Sequence, residues 1–145
     1  MLDNVEEVTV LELSPAALTT AGIALLAAVT VTSGGYFMTQ VVTAKVPATP
    51  FQTSFYRAGH AHAGVFIVLG LVCLVLTEAT GLTGAWAWLA RTGVLVAAIL
   101  MPAGFFLSAL GRGRQRPSRL VLLLPLGAAF LVAGLVTLGV GLLTV

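Results

Sequence analysis

The sequence has 145 residues, of which 59% are hydrophobic and 8% are charged, and its formal net charge is +2. In soluble globular domains about a quarter of the residues are charged, so this composition excludes an ordinary soluble domain and predicts an integral membrane protein. A chain of this length forms one compact bundle without a separate catalytic domain. The single cysteine, Cys73, excludes a disulfide framework and a cysteine-rich metal site within one chain.

Four apolar segments are predicted to span the membrane, at about residues 15–39, 50–79, 84–110 and 120–143. Ser14-Pro15 starts the first, with serine as N-cap and proline at the first helical position. Thr49-Pro50 starts the second, and Gln52 completes a capping box there. The predicted fold class is all-α: an integral membrane four-helix bundle, mostly antiparallel, as a single membrane domain over residues 1–145.

The charged residues divide between the two faces of this bundle. Acidic side chains fall on the face that carries both termini, together with one arginine: Asp3, Glu6, Glu7, Glu12, Glu78 and Arg91. The other six of the seven basic residues fall on the opposite face: Lys45, Arg57, Arg112, Arg114, Arg116 and Arg119. The positive-inside rule therefore predicts that the basic loop 111–119 is cytoplasmic and that both termini are extracytoplasmic. The composition indicates a bacterial plasma membrane, and insertion topology explains the basic loop without a nucleic-acid partner.

The main candidate site is His60-Ala61-His62, near the cytoplasmic end of the second span. An ionisable residue inside a membrane span is by default a functional hypothesis. Successive residues of a helix are about 100° apart, so the two rings differ by about 200° and cannot chelate one ion from the same regular helix. They would serve two sites, or one site with a partner helix. We expect any site to lie between the first and second spans.

Residues 59–68 resemble the His-x-His helix of haem-copper oxidase catalytic subunits, in which one helix ligates two haems on its two faces. They also resemble small uncharacterised four-helix bacterial membrane proteins with a His-x-His at the head of a span. This resemblance implies haem b or a transition metal bound by His60 and His62, in a redox or respiratory context. The chain has no third histidine. A second axial ligand would therefore come from another protomer of a homo-oligomer, from a larger membrane complex, or from one of three residues of this chain: Met101, Met38 or Tyr36.

Two other functions are compatible with the sequence. The histidines would be purely structural in a non-catalytic accessory or scaffold subunit, bonding to loop carbonyls, to Thr53 or Ser54, or to lipid headgroups. A channel or carrier formed by an oligomer is a further alternative, although the uncharged spans offer few pathway groups apart from the histidines, Thr30, Thr32 and Ser33. A proton-handling role of the histidines is also open, because histidine changes charge near neutral pH. We do not expect the chain to be an enzyme on its own.

Two sets of residues are predicted to hold the helices together. Glu78 and Arg91 flank the short turn after the second span and are expected to form a structural ion pair, with a polar entry to a pathway as the alternative. Gly127, Gly134 and Gly141 are spaced by sevens on the fourth span. They share one face, which would allow close approach by a helix of the same bundle or of a second protomer.

Overall fold

The computed structural model describes residues 12–145 and builds them into four long α-helices. The elements are α1 (Pro15–Val42), α2 (Pro50–Thr77), α3 (Gly84–Ser108) and α4 (Leu123–Leu143), with a 3₁₀ turn over Arg119–Leu122 leading into α4. Counting that turn with α4, each helix is long and apolar enough to cross a membrane. No strand occurs among residues 12–145, so the predicted all-α class is confirmed. The acidic residues Asp3, Glu6 and Glu7, which enter the prediction of orientation, lie outside this range.

Side-chain caps fix where the first two helices begin. The Ser14 hydroxyl accepts a hydrogen bond from the Ala17 amide at 3.2 Å. At the start of α2, the Thr49 hydroxyl accepts from the Gln52 amide at 3.2 Å, and the Gln52 side-chain oxygen accepts from the Thr49 amide at 3.1 Å. These bonds satisfy amides that have no partner inside the helix, which is why the local sequence was sufficient to place both starts.

The end of α1 differs from the sequence prediction, because the helix continues to Val42 instead of ending at residue 39. The Thr39 hydroxyl donates to the Tyr36 carbonyl oxygen at 2.6 Å, so this polar side chain is satisfied within the helix and does not end it. The chain leaves the helix at Ala44, whose φ of 57° is in the left-handed region.

The bundle is built around α3, which packs against both α2 and α4, while α1 packs mainly against α2. Glycines bring α3 and α4 together: a Cβ on Gly134 would lie 3.2 Å from the Cα of Gly93, and one on Gly127 would lie 2.5 Å from the Met101 side chain. Gly141 lies against Leu82 in the turn before α3. The glycine face of α4 is therefore occupied by elements of the same chain.

Candidate functional site

The His60 ring lies against two consecutive glycines of α1. A Cβ on Gly34 would lie 3.2 Å from its Nδ1, and a Cβ on Gly35 would lie 3.5 Å from its Cε1. Because glycine has no side chain, these two positions leave a notch on α1, the Gly34–Gly35 notch, into which the imidazole fits. Among the described residues the ring has no hydrogen-bond partner. In this arrangement His60 brings α2 close to α1.

The His62 ring occupies the opposite flank of α2 and is oriented by its own helix. Its Nδ1 lies 2.7 Å from the Ala58 carbonyl oxygen, one turn earlier. A carbonyl oxygen only accepts, so Nδ1 carries the proton, and the neutral ring has its lone pair on Nε2. The ring packs against Phe66 and Phe105, with centroid separations of 5.2 and 5.0 Å. His62 is thus held in one tautomer, against an apolar wall contributed partly by α3.

These positions correct one expectation from the sequence. A site between the first and second spans was predicted, and His60 does face α1, but for His62 this prediction is wrong because its ring faces α3. The physical reason is the rotation of about 200° between the two positions, which sends the rings to different neighbours. Within residues 12–145 no group of three or more His, Cys, Asp or Glu side chains could hold a metal ion.

The three candidate axial partners occupy different places. Met101 lies in the seam between α3 and α4, against Gly127. Tyr36 is 69% exposed on α1. Met38 is buried, and it lines a groove of about 390 Å³ together with His60, Val42 and Arg57. Of the three, Met38 is therefore the one that the fold brings beside a histidine, and that histidine is His60.

About two turns before His60 on α2, Gln52 makes a contact that the sequence did not reveal. Its side chain is 4% exposed, and Nε2 donates to the carbonyl oxygens of Ala109 at 2.9 Å and Gly111 at 2.7 Å. The Tyr56 hydroxyl also donates to the Ala109 oxygen, at 3.3 Å. The sequence assigns Gln52 only to the capping box, which uses the side-chain oxygen. The amide nitrogen, which that box leaves without an acceptor, is the one signal in the sequence for a further contact, here to the end of α3.

At the other end of the bundle, Glu78 and Arg91 form an ion pair. Arg91 Nη2 lies 2.6 Å and Nε 3.2 Å from Glu78 Oε1, and the Glu78 side chain is 7% exposed. The second carboxylate oxygen accepts from the Ser14 amide at 2.8 Å. Burial acts to raise the pKa of Glu78, but the hydrogen bonds from Ser14 and Arg91 outweigh it and hold that pKa below its ordinary value. The pair therefore joins α2 and α3 to the start of α1.

No protein-family model matches the chain, and neither a curated protein nor a solved structure matches it. The function is therefore inferred from the chain's own residues. Of the arginines and histidines within the four helices, Arg91 is paired with Glu78, whereas Arg57, His60 and His62 have no ion-pair partner among residues 12–145.

Proposed function

We propose that this protein is a small multi-pass membrane haem protein of the plasma membrane in which His62 is an axial ligand of haem b. The observation that supports it is the hydrogen bond from His62 Nδ1 to the Ala58 carbonyl oxygen. Histidines that ligate iron or zinc generally donate their other ring nitrogen to a carbonyl or carboxylate, which fixes the tautomer and raises the basicity of the ligating nitrogen. His62 has this arrangement, and its Nε2 is left as the ligating atom.

The surroundings of His62 suit a porphyrin better than a bare metal ion. Phe66 and Phe105 supply apolar contacts, whereas a zinc or copper site needs three or four nitrogen, sulfur or oxygen ligands. Arginines of the loop 111–119 lie at the same end of the bundle and would balance the carboxylates of the porphyrin. When bound, haem would supply one-electron redox chemistry, with a potential set by its axial ligands and by the polarity around it.

The second axial ligand is proposed to come from a second copy of the chain. Met101 and Tyr36 lie away from His62, and Met38 lies on the His60 flank. In a two-fold symmetric dimer, a residue that lies at the symmetry axis meets its equivalent, so two His62 side chains placed at that axis would supply both ligands. His60 has a different role in this proposal: it packs α2 against the Gly34–Gly35 notch.

A second candidate is an accessory or scaffold subunit whose histidines are structural. In its favour, the contacts of both rings come from the chain itself: the Ala58 carbonyl and two phenylalanines for His62, and the Gly34–Gly35 notch for His60. A polar side chain in lipid needs a hydrogen bond such as the one from His62 to Ala58 even where it binds no ligand, and such bonds are worth roughly 1 kcal/mol.

Haem reconstitution of the purified protein separates the two candidates. Haemin is titrated into the protein in detergent, and the Soret absorbance and its change on reduction are recorded for wild type, His62→Ala and His60→Ala. We expect wild type and His60→Ala to give a Soret band that shifts on reduction, and His62→Ala to lose it. Melting temperatures show that each variant is folded. A folded wild-type protein that stays colourless after haemin addition and detergent exchange would exclude the haem proposal and leave the scaffold.

A further inference from the structure

A polar groove lies beside the first turns of α2, at the end of the bundle that carries the basic loop. Ala48 of the preceding loop lines it together with Pro50, Thr53, Ser54 and Arg57 of the helix. Residues three and four positions apart on a helix are neighbours on its surface, so both hydroxyls lie beside the arginine. The groove therefore collects two hydroxyl groups and one guanidinium.

The hydroxyls of this groove are not used by the helix that carries them. Six other threonines within the helices donate to a carbonyl oxygen about one turn earlier: Thr20, Thr30, Thr32, Thr39, Thr77 and Thr92. Thr53 and Ser54 make no such bond within residues 12–145. Their hydroxyl groups are therefore available to donate to an acceptor outside the chain.

The positive charge at this end of the bundle has no counter-charge from the described chain. The acidic residues of the range 12–145 are Glu12 and Glu78, and both lie at the opposite end, near the start of α1. Arg57 is exposed and forms no ion pair within that range. Five further basic residues share its end of the bundle: Lys45, Arg112, Arg114, Arg116 and Arg119. The anions that balance this charge therefore come from outside the described chain.

The backbone at the start of α2 contributes little to an anion site, because its amides are already occupied. The Gln52 amide donates to the Thr49 hydroxyl, and the Thr49 amide donates to the Gln52 side-chain oxygen. The Thr53 amide donates to the Thr49 carbonyl oxygen at 2.9 Å. Recognition in the groove therefore rests on the Arg57 guanidinium and the two hydroxyl groups.

Arg57 also lines a second groove, which extends toward the interior of the membrane. Its other lining residues are His60 of α2 and two apolar residues of α1, Met38 and Val42. The two grooves meet at the arginine, so a polar part is joined to a mainly apolar part. A free phosphate ion would contact only the polar part, whereas a phospholipid also places its glycerol ester region beside Met38 and Val42. Because α2 is long enough to cross a membrane, its first turns lie at the level of the lipid headgroups.

The charge of this end also selects among lipid headgroups. Choline and ethanolamine headgroups place a cation beside the phosphate, and the described chain has no carboxylate at this end to pair with it. A glycerol headgroup adds only hydroxyls and leaves the lipid with a net negative charge. Arginine binds phosphate through charge-assisted hydrogen bonds, which that net charge strengthens. The groove therefore favours an anionic lipid over a zwitterionic one.

We propose that Thr53, Ser54 and Arg57 form a binding site for the phosphate of an anionic phospholipid of the phosphatidylglycerol class. Arg57 donates to the phosphate oxygens and balances their charge, and the two hydroxyls donate to the same group. The second groove places this site on the α1 side of α2, whereas the haem proposed at His62 faces α3. The two proposals are therefore independent.

Lipid titration followed by native mass spectrometry tests the site in the full-length protein in detergent. Dioleoylphosphatidylglycerol and dioleoylphosphatidylcholine are titrated separately, and the apparent Kd of the first bound lipid is measured for each. We expect phosphatidylglycerol to bind about fivefold more tightly, which corresponds to the attraction of one arginine to an anionic lipid. Inorganic phosphate at the same concentration as the lipid is expected not to displace it.

Matched variants separate a site from the general positive charge of this end. Arg57→Gln is expected to weaken phosphatidylglycerol binding about tenfold, through the loss of charge-assisted hydrogen bonds. Arg116→Gln removes the same charge from an exposed loop position and should weaken it by about twofold at most, because solvent screens that charge. The double variant Thr53→Val, Ser54→Ala keeps every charge and should weaken binding about fivefold. Its control is Thr43→Val at the same end, where the hydroxyl already donates to a carbonyl oxygen of α1.

Four outcomes would overturn the proposal, once melting temperatures show that the variants are folded. Equal affinities for the two lipids would remove the headgroup preference. Equal losses in Arg57→Gln and Arg116→Gln would mean that the whole basic end attracts anionic lipid without a site. An unchanged Kd in the double variant would exclude the groove as the binding site, and displacement by inorganic phosphate would assign a free anion as the ligand. None of these measurements depends on whether haem binds.

Discussion

The Glu78 carboxylate accepts a hydrogen bond from the backbone amide of Ser14 at 2.8 Å, although the two residues are 64 positions apart in the sequence. Its other oxygen bonds Arg91. One side chain at the end of α2 thus caps the start of α1 and pairs with α3. A charge with 7% of its side chain exposed is tolerated there because both of its oxygens have donors.

This arrangement predicts that the fold weakens in acid. The pKa of Glu78 is lowered in the folded protein, so its contribution is fully present above the unfolded value of about 4.3 and is lost as pH falls through the lower folded value. We expect the melting temperature of wild type to fall between pH 5 and pH 3, and that of Glu78→Gln to be lower at pH 7 and to change less with acid. Equal acid slopes for the two proteins would contradict this role.

The contact between Gly93 and Gly134 predicts a strong sensitivity to a single methyl group. A Cβ on Gly93 would lie 2.9 Å from the Cα of Gly134, and backbone cannot move aside as a flexible side chain can. We expect Gly93→Ala to lower the free energy of unfolding by about 1–3 kcal/mol, through overpacking. Gly139→Ala is the control, because a Cβ there meets nothing within 4 Å. It should be neutral or slightly stabilising in the same denaturation in mixed micelles.

The Gly34–Gly35 notch predicts a pair of substitutions that compensate each other. Gly34→Leu places its side chain where the His60 ring lies, so we expect α1 to separate from α2 and the free energy of unfolding to fall by about 1–3 kcal/mol. His60→Ala in the same chain should recover much of this loss, since the space is vacated. Gly22→Leu, at an open position of α1, should have little effect. If the double variant is as unstable as Gly34→Leu, the ring is not the obstacle.

Gln52 predicts a polar contribution to stability inside the bundle. Gln52→Leu removes three hydrogen bonds, to the carbonyl oxygens of Ala109 and Gly111 and from the Thr49 amide. Each contributes about 1 kcal/mol, and Tyr56 still donates to Ala109, so the cost is about 1–3 kcal/mol. We expect a loss of this size in unfolding free energy and faster hydrogen exchange over residues 105–111. Gln40→Leu, at a half-buried position with no side-chain hydrogen bond among residues 12–145, should change neither quantity.

The distribution of charge predicts the orientation in the membrane. In intact cells, Gln115→Cys in the basic loop should be shielded from a membrane-impermeant maleimide, and Gly81→Cys in the turn between α2 and α3 should react. Both positions are exposed, and the native Cys73 is buried, so the parent chain serves as the unlabelled control. Labelling of position 115 from outside would reverse the predicted topology.

Local signals made the helices predictable. Ser14, Pro15, Thr49 and Pro50 act through bonds and φ angles within one turn, so the starts of α1 and α2 could be inferred from neighbouring residues alone. The packing of the helices against one another could not be inferred in this way. In a membrane span every face is apolar, so hydrophobic periodicity does not identify the buried face as it does in a soluble helix.

The candidate site shows the same division between local and long-range information. The angle between His60 and His62 follows from helix geometry, and the sequence predicted it. That His60 meets the Gly34–Gly35 notch and that His62 meets Phe105 depends on which helices flank α2, and no residue near positions 60–62 encodes this. The contact of Gln52 with Ala109 and Gly111, which are almost 60 positions away, could not be predicted from the sequence for the same reason.

The two-ended attachment of α1 also sets an order for the protein's biogenesis. Both anchors of this helix, Glu78 and His60, belong to α2, and Arg91 of α3 completes the first of them. The helix α1 therefore lacks both anchors until α2, which follows it in the chain, has been synthesised. During that interval α1 must be stable in the bilayer by its hydrophobicity alone, because independent insertion of a span precedes its association with others. Its 28 residues without a charged side chain meet that requirement.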